Sequence, residues 1–270
     1  MALRISFSIL SIALLASCIS AEEHSGDFGY NGPNGPDKWG SISPSFAACS
    51  NGKAQSPVNI RKANIVLNKQ LKSIDREYHP ANATLVNNKV NIGVHFEGKA
   101  GHVIIEGKKY FLKQMHWHCP SEHRINGRQY DAELHQVHET EDGSLAVVGV
   151  LYKVGRRPSP IISKIEDKLV ELDKENRAGH KEAHIALGTF GLEKMKGRTS
   201  KYYRYVGSLT TPPCTEGVNW NVNAKVKSLS KKQLELLKAP LNPEFKYNAR
   251  PVQPLNGRKV EMFYQCKQRQ

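Results

Sequence analysis

Residues 114–138 constrain this chain more than any other segment, because they hold five of its eleven histidines in a pattern suited to paired strands. Side chains two apart on a strand share a face, so Gln114, His116 and His118 are expected to point the same way. On a helix, residues two apart point to nearly opposite sides. The His-x-His spacing therefore favours a strand if both rings bind one metal ion.

A second strand is expected to return along residues 133–137, with His135 on the face that carries the first two histidines. The dipeptide Asn126-Gly127 between the two arms is a strong hairpin signal, because both residues tolerate positive φ. If it forms a two-residue loop that closes the pair, His118 lies across from His135. Pro120 cannot donate a ladder hydrogen bond, so the pairing is expected to be interrupted near it.

Three imidazoles on one face of a sheet suit a catalytic zinc site, in which the protein leaves one coordination position open. The predicted ligands are His116, His118 and His135. Gln114 and Glu133 share the same face, and side chains of these types hold the remaining ring N–H of a ligand histidine. The pattern thus predicts both the ligands and the groups that orient them.

Two interpretations without a metal are open for the same residues. The segment could form an exposed hairpin that is simply rich in histidine. Residues 131–139 could also form a helix, which would place His135 and His138 on one side. Short motifs of this kind have real false-positive rates, so spacing alone does not decide between them.

The segment is similar to the core of the α-type carbonic anhydrases, and residues 208–213, Ser-Leu-Thr-Thr-Pro-Pro, together with Trp220 resemble a second signature of that family. The resemblance runs from about Tyr30 to Val260. It implies a mainly β fold with a few short helices, built on a large twisted, mostly antiparallel sheet. It also implies a Zn²⁺ cofactor and the hydration of carbon dioxide to bicarbonate.

The resemblance assigns further residues to the site. Thr210 and Glu122 match the catalytic pair that aligns the nucleophile, and Thr211 matches a position beside the bound bicarbonate. Tyr30 matches a residue that orders water in the cleft, while His123 matches a structural histidine rather than a ligand. The apolar wall for carbon dioxide is expected to contain Val137, Val147, Leu209, Val218 and Trp220.

One position departs from the family pattern. Fast members carry Gly-His where this chain has Lys89-Val90, and that histidine carries the proton to buffer because imidazole titrates near neutral pH. Valine cannot do so, and His95, five positions further along, is not expected to replace it. The resemblance therefore implies slow catalysis. The alternative is a non-catalytic storage or binding protein, such as a tuber storage protein, with a carbohydrate or ascorbate-type ligand in the cleft.

The chain begins with the pattern of a secretory signal peptide over residues 1–21, with Arg4, an apolar run and then small residues up to Ala21. Residues 22–270 are expected to form a single domain. No later segment is long and apolar enough to span a bilayer. The expected location is the secretory pathway, with the vacuole or the extracellular space as destination, and the expected state is a monomer or a homodimer.

Three segments after the histidine-rich stretch give clear secondary-structure signals. Residues 145–153 are a nearly continuous apolar run, which is typical of a central strand buried on both faces. Residues 161–172 carry apolar side chains at helical spacing, and residues 230–237 begin with a serine suited to an N-cap. Both are predicted to be short helices on the surface of the sheet.

The formal net charge of +14 raises the question of nucleic acid binding. A secreted chain rarely meets nucleic acid, and the basic residues here are dispersed among acidic ones without interleaved aromatic residues. We therefore expect neither nucleic acid nor a membrane as partner. The expected ligands are carbon dioxide and bicarbonate, or else a carbohydrate or a small anion attracted by the basic surface.

Four cysteines remain after removal of the signal peptide, namely Cys49, Cys119, Cys214 and Cys266. In an oxidising compartment at least one pair should form a disulfide, and four cysteines permit three full connectivities. The resemblance selects the pair Cys49 and Cys214. Asn82 lies in the only Asn-x-Ser/Thr sequon and is the predicted glycosylation site.

Overall fold

The computed structural model describes residues 28–180, 183–192, 195 and 198–265, so the predicted signal peptide and Cys266 lie outside the described residues. The described helices are Trp39–Ile42 (α1), Ala48–Asn51 (α2), Pro160–Ser163 (α3), Glu166–Arg177 (α4) and Lys231–Lys238 (α5). The described strands are Asn59–Ile60 (β1), Ile65–Leu67 (β2), Asp75–Tyr78 (β3), Ala81–Asn87 (β4), Ile92–Phe96 (β5), Gly101–Ile105 (β6), Lys108–His118 (β7), Arg124–Ile125 (β8), Ala132–Glu139 (β9), Leu145–Val154 (β10), His184–Phe190 (β11), Lys201–Ser208 (β12), Glu216–Asn223 (β13), Lys227–Leu229 (β14) and Val260–Tyr264 (β15).

Thirteen of these strands form one sheet, whose main path is β11-β4-β5-β7-β9-β10-β13-β12-β15-β2. Strand β6 pairs with both β3 and β7, and β14 extends the edge of β10. Most neighbours are antiparallel, whereas β10 runs parallel to β13 and β14, and β15 runs parallel to β2. The predicted fold class, mainly β with a large, mostly antiparallel sheet and a few short helices, is confirmed.

Strand β10 lies in the middle of the sheet and is buried along most of its length, as its continuous apolar run predicts. Successive side chains point to opposite faces, so Val147 and Leu151 pack in one core cluster while Val150 and Tyr152 pack in another. We call the side of Val147 the front face and the side of Tyr152 the back face. The predicted metal ligands belong to the front face.

Helices α3 and α4 cover the back face with Ile161, Ile165, Leu169 and Leu172, which are all buried in its core cluster. The sequence predicts one helix over residues 161–172, but the structure divides it into α3 and α4. The prediction of one continuous helix is wrong. The apolar pattern could not reveal the break, because these four side chains keep helical spacing across it. Helix α5 begins as predicted, at Ser230, with a capping box that satisfies backbone N–H groups of its first turn.

A buried histidine makes the stability of this fold depend on pH. His138 lies on the back face, with its Nε2 atom 2.9 Å from the Tyr78 hydroxyl oxygen. Burial lowers the pKa of His138 to about 3, whereas the unfolded chain is expected to titrate near a pKa of about 6.5. Between these values only the unfolded state takes up the proton, so the free energy of unfolding decreases as the pH falls.

We expect His138 alone to reduce the free energy of unfolding by about 2 kcal/mol between pH 7 and pH 5. Urea denaturation at both pH values measures the loss, and His138→Gln should make it smaller. The matched control is His180→Gln, since His180 is exposed on the surface. Equal pH dependence in wild type and His138→Gln would contradict the prediction.

Candidate metal centre

Strands β7 and β9 bring the three predicted ligand histidines together on the front face. His116 lies directly across from His135, and His118 lies across from Glu133. The ring centroid of His118 is 4.7 Å from that of His135, and the other two centroid distances are 5.1 and 5.2 Å. One nitrogen from each ring lies within 4.8 Å of the others. This arrangement is compatible with three bonds to a single ion.

The predicted register, with His118 across from His135, is wrong by two residues. Asn126 and Gly127 do form a two-residue turn, with φ values of 50° and 81°. This turn follows the short strand β8, which pairs with β1 rather than closing the β7–β9 pair. The chain leaves the β7–β9 ladder after His118, where Pro120 has no N–H to donate.

Each ligand ring has one nitrogen engaged by an acceptor, and this arrangement fixes its tautomer. The Nδ1–H group of His116 donates to Gln114 Oε1 at 2.8 Å, and that of His118 donates to the carbonyl oxygen of Asn248 at 2.7 Å. In His135 the opposite nitrogen, Nε2, donates to Glu133 Oε1 at 3.0 Å. The remaining nitrogen of each ring carries a lone pair, as a metal ligand must.

The donor set fits a zinc ion. His118 Nε2 is buried and has no hydrogen-bond partner among the described residues, although an unsatisfied buried polar atom is costly. A second group, His123, Glu133 and His135, also lies within ligand distance. Its atoms are already bonded, because Glu133 Oε1 accepts from both imidazoles. We therefore take the first group as the metal site and the second as the network that supports it.

Burial favours the neutral form of the three candidate ligands, which is the form that metal binding requires. Burial lowers the pKa of His118 to about 4 and lowers the pKa of His135 as well. The pKa of His116 lies well below its ordinary value, first because of burial and then because His118 and His135 are close. Neutral imidazoles are ready to donate lone pairs without first losing a proton.

Glu133 is the buried carboxylate that positions His135, one of the candidate ligands, through a hydrogen bond. Burial raises its pKa, but the neighbouring His123 and His135 together hold that pKa well below the ordinary value. Its second oxygen accepts the backbone N–H groups of Glu122 and His123 at 3.0 and 2.8 Å. Gly149 lies across from His135, and a Cβ atom there would come within 3.0 Å of Glu133 Oε1. Glycine at this position therefore leaves room for the carboxylate.

Glu122 is a second buried carboxyl group at the site. Its Oε1 accepts from the backbone N–H of Arg250 at 2.9 Å, and its Oε2 lies 3.5 Å from His118 Nε2. Burial raises the pKa of Glu122 to about 7, although His135 and the Thr210 hydroxyl oppose the rise. Oε2 makes no hydrogen bond of normal length to a described residue. Thr210 is thus near enough to affect Glu122 without being tightly bonded to it.

The predicted apolar wall is assembled on the same face. Val147, Val218 and Trp220 are buried in one cluster, against which Val137 and Leu209 pack as partly buried side chains. The Trp220 ring lies 4.8 Å from that of His135, and its Nε1–H donates to the Ser208 carbonyl at 2.9 Å. Thr211 is partly exposed at the turn that follows Thr210.

Val90 and Tyr30 belong to a third cluster, formed by the amino-terminal arm. Phe28, Tyr30, Trp39, Phe46, Val90, Cys49 and Cys214 are buried together in it. His95 lies on the front face of β5, directly across from Gln114. Gly93, two residues earlier on the same strand, lies across from His116. Burial and then the nearby His184 lower the pKa of His95.

Asn248 is the site residue that the sequence did not reveal. Its carbonyl orients His118, its Oδ1 accepts the backbone N–H of Cys119 at 2.8 Å, and its Nδ2 donates to the carbonyl of Val90 at 2.7 Å. It thus joins a metal ligand to the loop that contains Val90. Asn248 lies 130 positions after His118 in irregular chain, where no spacing rule applies.

Cys49 and Cys214 form the disulfide that the resemblance selects, whereas Cys119 is free and buried. Burial raises the pKa of the Cys119 thiol to about 12, so it is a poor metal ligand. Asn82 is exposed on β4 and therefore accessible to a glycan. Among the described residues, no helix has both the length and the apolar character to cross a membrane.

A large sheet that presents three oriented imidazoles beside a buried carboxyl group is the arrangement typical of the carbonic anhydrase fold. The family model for eukaryotic-type carbonic anhydrases matches residues 34–264. The chain belongs to that family.

Relatives within the family include both alpha carbonic anhydrases and dioscorins. Alpha carbonic anhydrase 7 of Arabidopsis thaliana is 42% identical over 259 residues, which cover 95% of this chain and 92% of the relative. Dioscorin dioA3 of Dioscorea japonica is 38% identical, with 96% and 94% covered. A crystal structure of dioscorin complexed with ascorbate is 38% identical, covers 90% of this chain and 100% of its own, and has a TM-score of 0.85.

Proposed function

We propose that this chain is a zinc-dependent carbonic anhydrase that hydrates carbon dioxide to bicarbonate with slow release of the proton. The observation that carries the proposal is the grouping of His116, His118 and His135, each of which offers one nitrogen within 4.8 Å of the other two. Zinc held by three neutral imidazoles supplies a hydroxide nucleophile at neutral pH.

The chain's own residues would bind and orient the substrate. Carbon dioxide is small, apolar and uncharged, so it needs an apolar surface beside the nucleophile rather than hydrogen-bond donors. Val147, Val218 and Trp220 provide that surface next to the ligand histidines. These side chains belong to the apolar cluster of the front face, which would disfavour water beside the substrate.

Thr210 and Glu122 would set the direction of the nucleophile's proton. When the Thr210 hydroxyl donates to the Glu122 carboxylate, its oxygen can only accept a hydrogen bond from a group at the centre. The accepted proton then points away from the substrate and leaves a lone pair facing its carbon. Without a neighbouring metal ion, Glu122 has a pKa of about 7. A bound dication would favour the charged form of this carboxyl group.

Proton release is the step for which this chain is poorly equipped. Val90 occupies the position of the family's relay histidine, and its side chain packs among Tyr30, Trp39 and the disulfide. His95 shares the front face, but burial lowers its pKa and disfavours the protonated form that a relay needs. We infer that turnover is limited by transfer of the proton to buffer.

Substituting a histidine for Val90 is expected to raise kcat by about tenfold, with little change in kcat/KM, because only the step after substrate conversion is accelerated. Imidazole buffer should produce the same gain in the wild type. The assay is carbon dioxide hydration by zinc-loaded protein at several imidazole concentrations. Val90→Gln is the matched control, since glutamine is polar but does not titrate.

Two further variants decide what the result means. His95→Gln should leave kcat unchanged, and a decrease would show that His95 is the relay. If neither imidazole nor Val90→His changes kcat, proton transfer does not limit turnover. The cleft would then be blocked or used for another ligand.

That second outcome would favour storage or binding as the role of the chain. Its support is the similarity to dioscorins, one of which binds ascorbate in its crystal structure, together with the missing relay histidine. In this alternative the cleft holds an ascorbate-type or carbohydrate ligand, and the protein serves mainly as a tuber storage protein. Ascorbate should then raise the melting temperature of metal-free protein, and natively purified protein should contain little zinc.

The remaining proposals concern the domain bounds, the cellular location and the oligomeric state of the protein. We infer a single domain over residues 22–270, secreted after removal of residues 1–21 and delivered to the vacuole or the extracellular space. The disulfide between Cys49 and Cys214 supports an oxidising compartment. A monomer or a homodimer is the proposed state, and mass measurement of the native protein would distinguish them.

A further inference from the structure

A cavity of about 740 Å³ lies on the back face, on the opposite side of the sheet from the metal centre. Gln136 marks the separation, because it lines this cavity while its neighbour His135 faces the front. The cavity is bounded by β3, β9, β10, the start of α3, the segment from β13 to β14, and Met195 with residues 198–201, which lead into β12. Its volume is in the usual range for small-molecule sites.

The lining of this cavity is strongly basic. Among the described residues that line it there are six cationic side chains and no Asp or Glu: Arg76, Arg157, Arg198, Lys201, Lys225 and Lys227. Several like charges in one concave, partly buried site produce a positive potential that attracts anions. A dispersed solvated surface does not concentrate charge in this way.

Most of these charges are not neutralised within the protein. Arg198 pairs with Asp75 at 2.9 Å, and Lys201 lies over the Tyr264 ring. The other four cations form no ion pair with any carboxylate in the described part of the chain. Lys227 remains largely exposed, but partial burial, and then Arg76 and Lys225, lower its pKa. The fold thus places these positive charges near one another, and among the described residues only Arg198 has a carboxylate partner.

Two hydrogen-bond donors in the lining have no partner in the described part of the chain. Arg76 Nε and the Thr199 hydroxyl are both buried and unbonded as far as the described residues go. Burial is also the main reason that the pKa of the Arg76 guanidinium is lowered. An unsatisfied buried donor is costly, and a charged one more so. A ligand that offers acceptor oxygens at this point would satisfy both groups.

We propose that this cavity is a binding site for a small organic phosphate, such as a phosphorylated sugar. A phosphate monoester offers three strongly accepting oxygens and close to two negative charges, which suits a guanidinium and a hydroxyl backed by several lysines. The apolar residues of the lining, among them Val150 and Ile161, leave space for the organic part. The site is independent of the metal centre and of the activity proposed for it.

Isothermal titration of the purified full chain with glucose 6-phosphate tests the proposal, with glucose and citrate as comparison ligands. We expect one glucose 6-phosphate per chain, weaker binding at higher salt, and no binding of glucose. Equal affinity for citrate would overturn the assignment to phosphate. Failure of glucose 6-phosphate to bind at low salt would overturn the site itself.

Charge-removing variants locate the binding. Arg76→Gln is expected to weaken binding by roughly tenfold or more, because a charge-assisted hydrogen bond is lost. Lys227→Gln changes an exposed side chain that folding does not need, and should weaken binding by about threefold to tenfold. The control Lys53→Gln removes an equivalent exposed charge outside the cavity and should change nothing. Equal losses in all three variants would indicate non-specific attraction to a basic protein.

Binding must also persist without the metal site. His118→Ala removes a proposed zinc ligand on the front face, and the affinity for glucose 6-phosphate should be unchanged in it. Loss of binding in this variant, with Arg76→Gln unaffected, would place the phosphate at the metal centre and overturn the proposal. A failure of carbonic anhydrase activity would leave this result untouched.

Discussion

Replacing His118 with alanine is expected to reduce zinc from about one ion per chain to nearly none and to abolish carbon dioxide hydration. In the proposed site three imidazoles hold the ion, and two cannot maintain a catalytic zinc site of this type. His118 is the most informative of the three, because its Nε2 is fully buried without a described partner and its orientation is fixed by Asn248. Metal analysis after dialysis measures the loss directly.

The same variant should remain folded, because a core of this size does not depend on the ion. Far-ultraviolet circular dichroism of His118→Ala should therefore match that of the wild type. His180→Ala is the control for loss of an imidazole, since His180 is exposed and pairs with Glu175 at 2.7 Å. Full zinc occupancy in His118→Ala, or likewise in His135→Ala, would refute the ligand assignment.

Local patterns in the sequence predicted part of the geometry of the candidate site. The period of two in Gln114, His116 and His118 placed these side chains on one face, and the structure places them there. The long-range partners were harder to predict. The register of β9 against β7 depends on where the intervening segment leaves the ladder, and the Asn126-Gly127 turn belongs to a different strand pair.

Other features could not be predicted from spacing at all. Asn248 orients His118 through its backbone carbonyl, and any residue type has a carbonyl. The basic cavity draws its cations from separate segments that only the completed sheet brings together, so the sequence showed a dispersed excess of Lys and Arg. By contrast, the interruption between α3 and α4 left the apolar spacing intact, and for that reason the pattern could not reveal it.

Removing the disulfide is expected to have the largest effect on stability. Cys49 and Cys214 are 165 positions apart, and cross-linking a loop of that length contributes on the order of 5 kcal/mol in the chain-entropy model. The double variant Cys49→Ala/Cys214→Ala should lose about that much free energy of unfolding in urea denaturation. Cys119→Ala is the control, because Cys119 is buried but free. It should lose far less.

The disulfide variant also separates stability from the site. Cys214 donates its N–H to the Thr211 carbonyl at 2.9 Å. The disulfide at Cys214 therefore helps to hold the turn that carries Thr210. The zinc ligands, in contrast, come from β7 and β9 and do not depend on that turn. We therefore expect the double variant to bind about one zinc per chain while its carbon dioxide hydration falls, because Thr210 is less well positioned.

A loss of stability below about 1 kcal/mol would show that the unfolded chain is already compact enough to hide the constraint. Loss of zinc from the folded double variant would show instead that the turn and the metal site are a single unit.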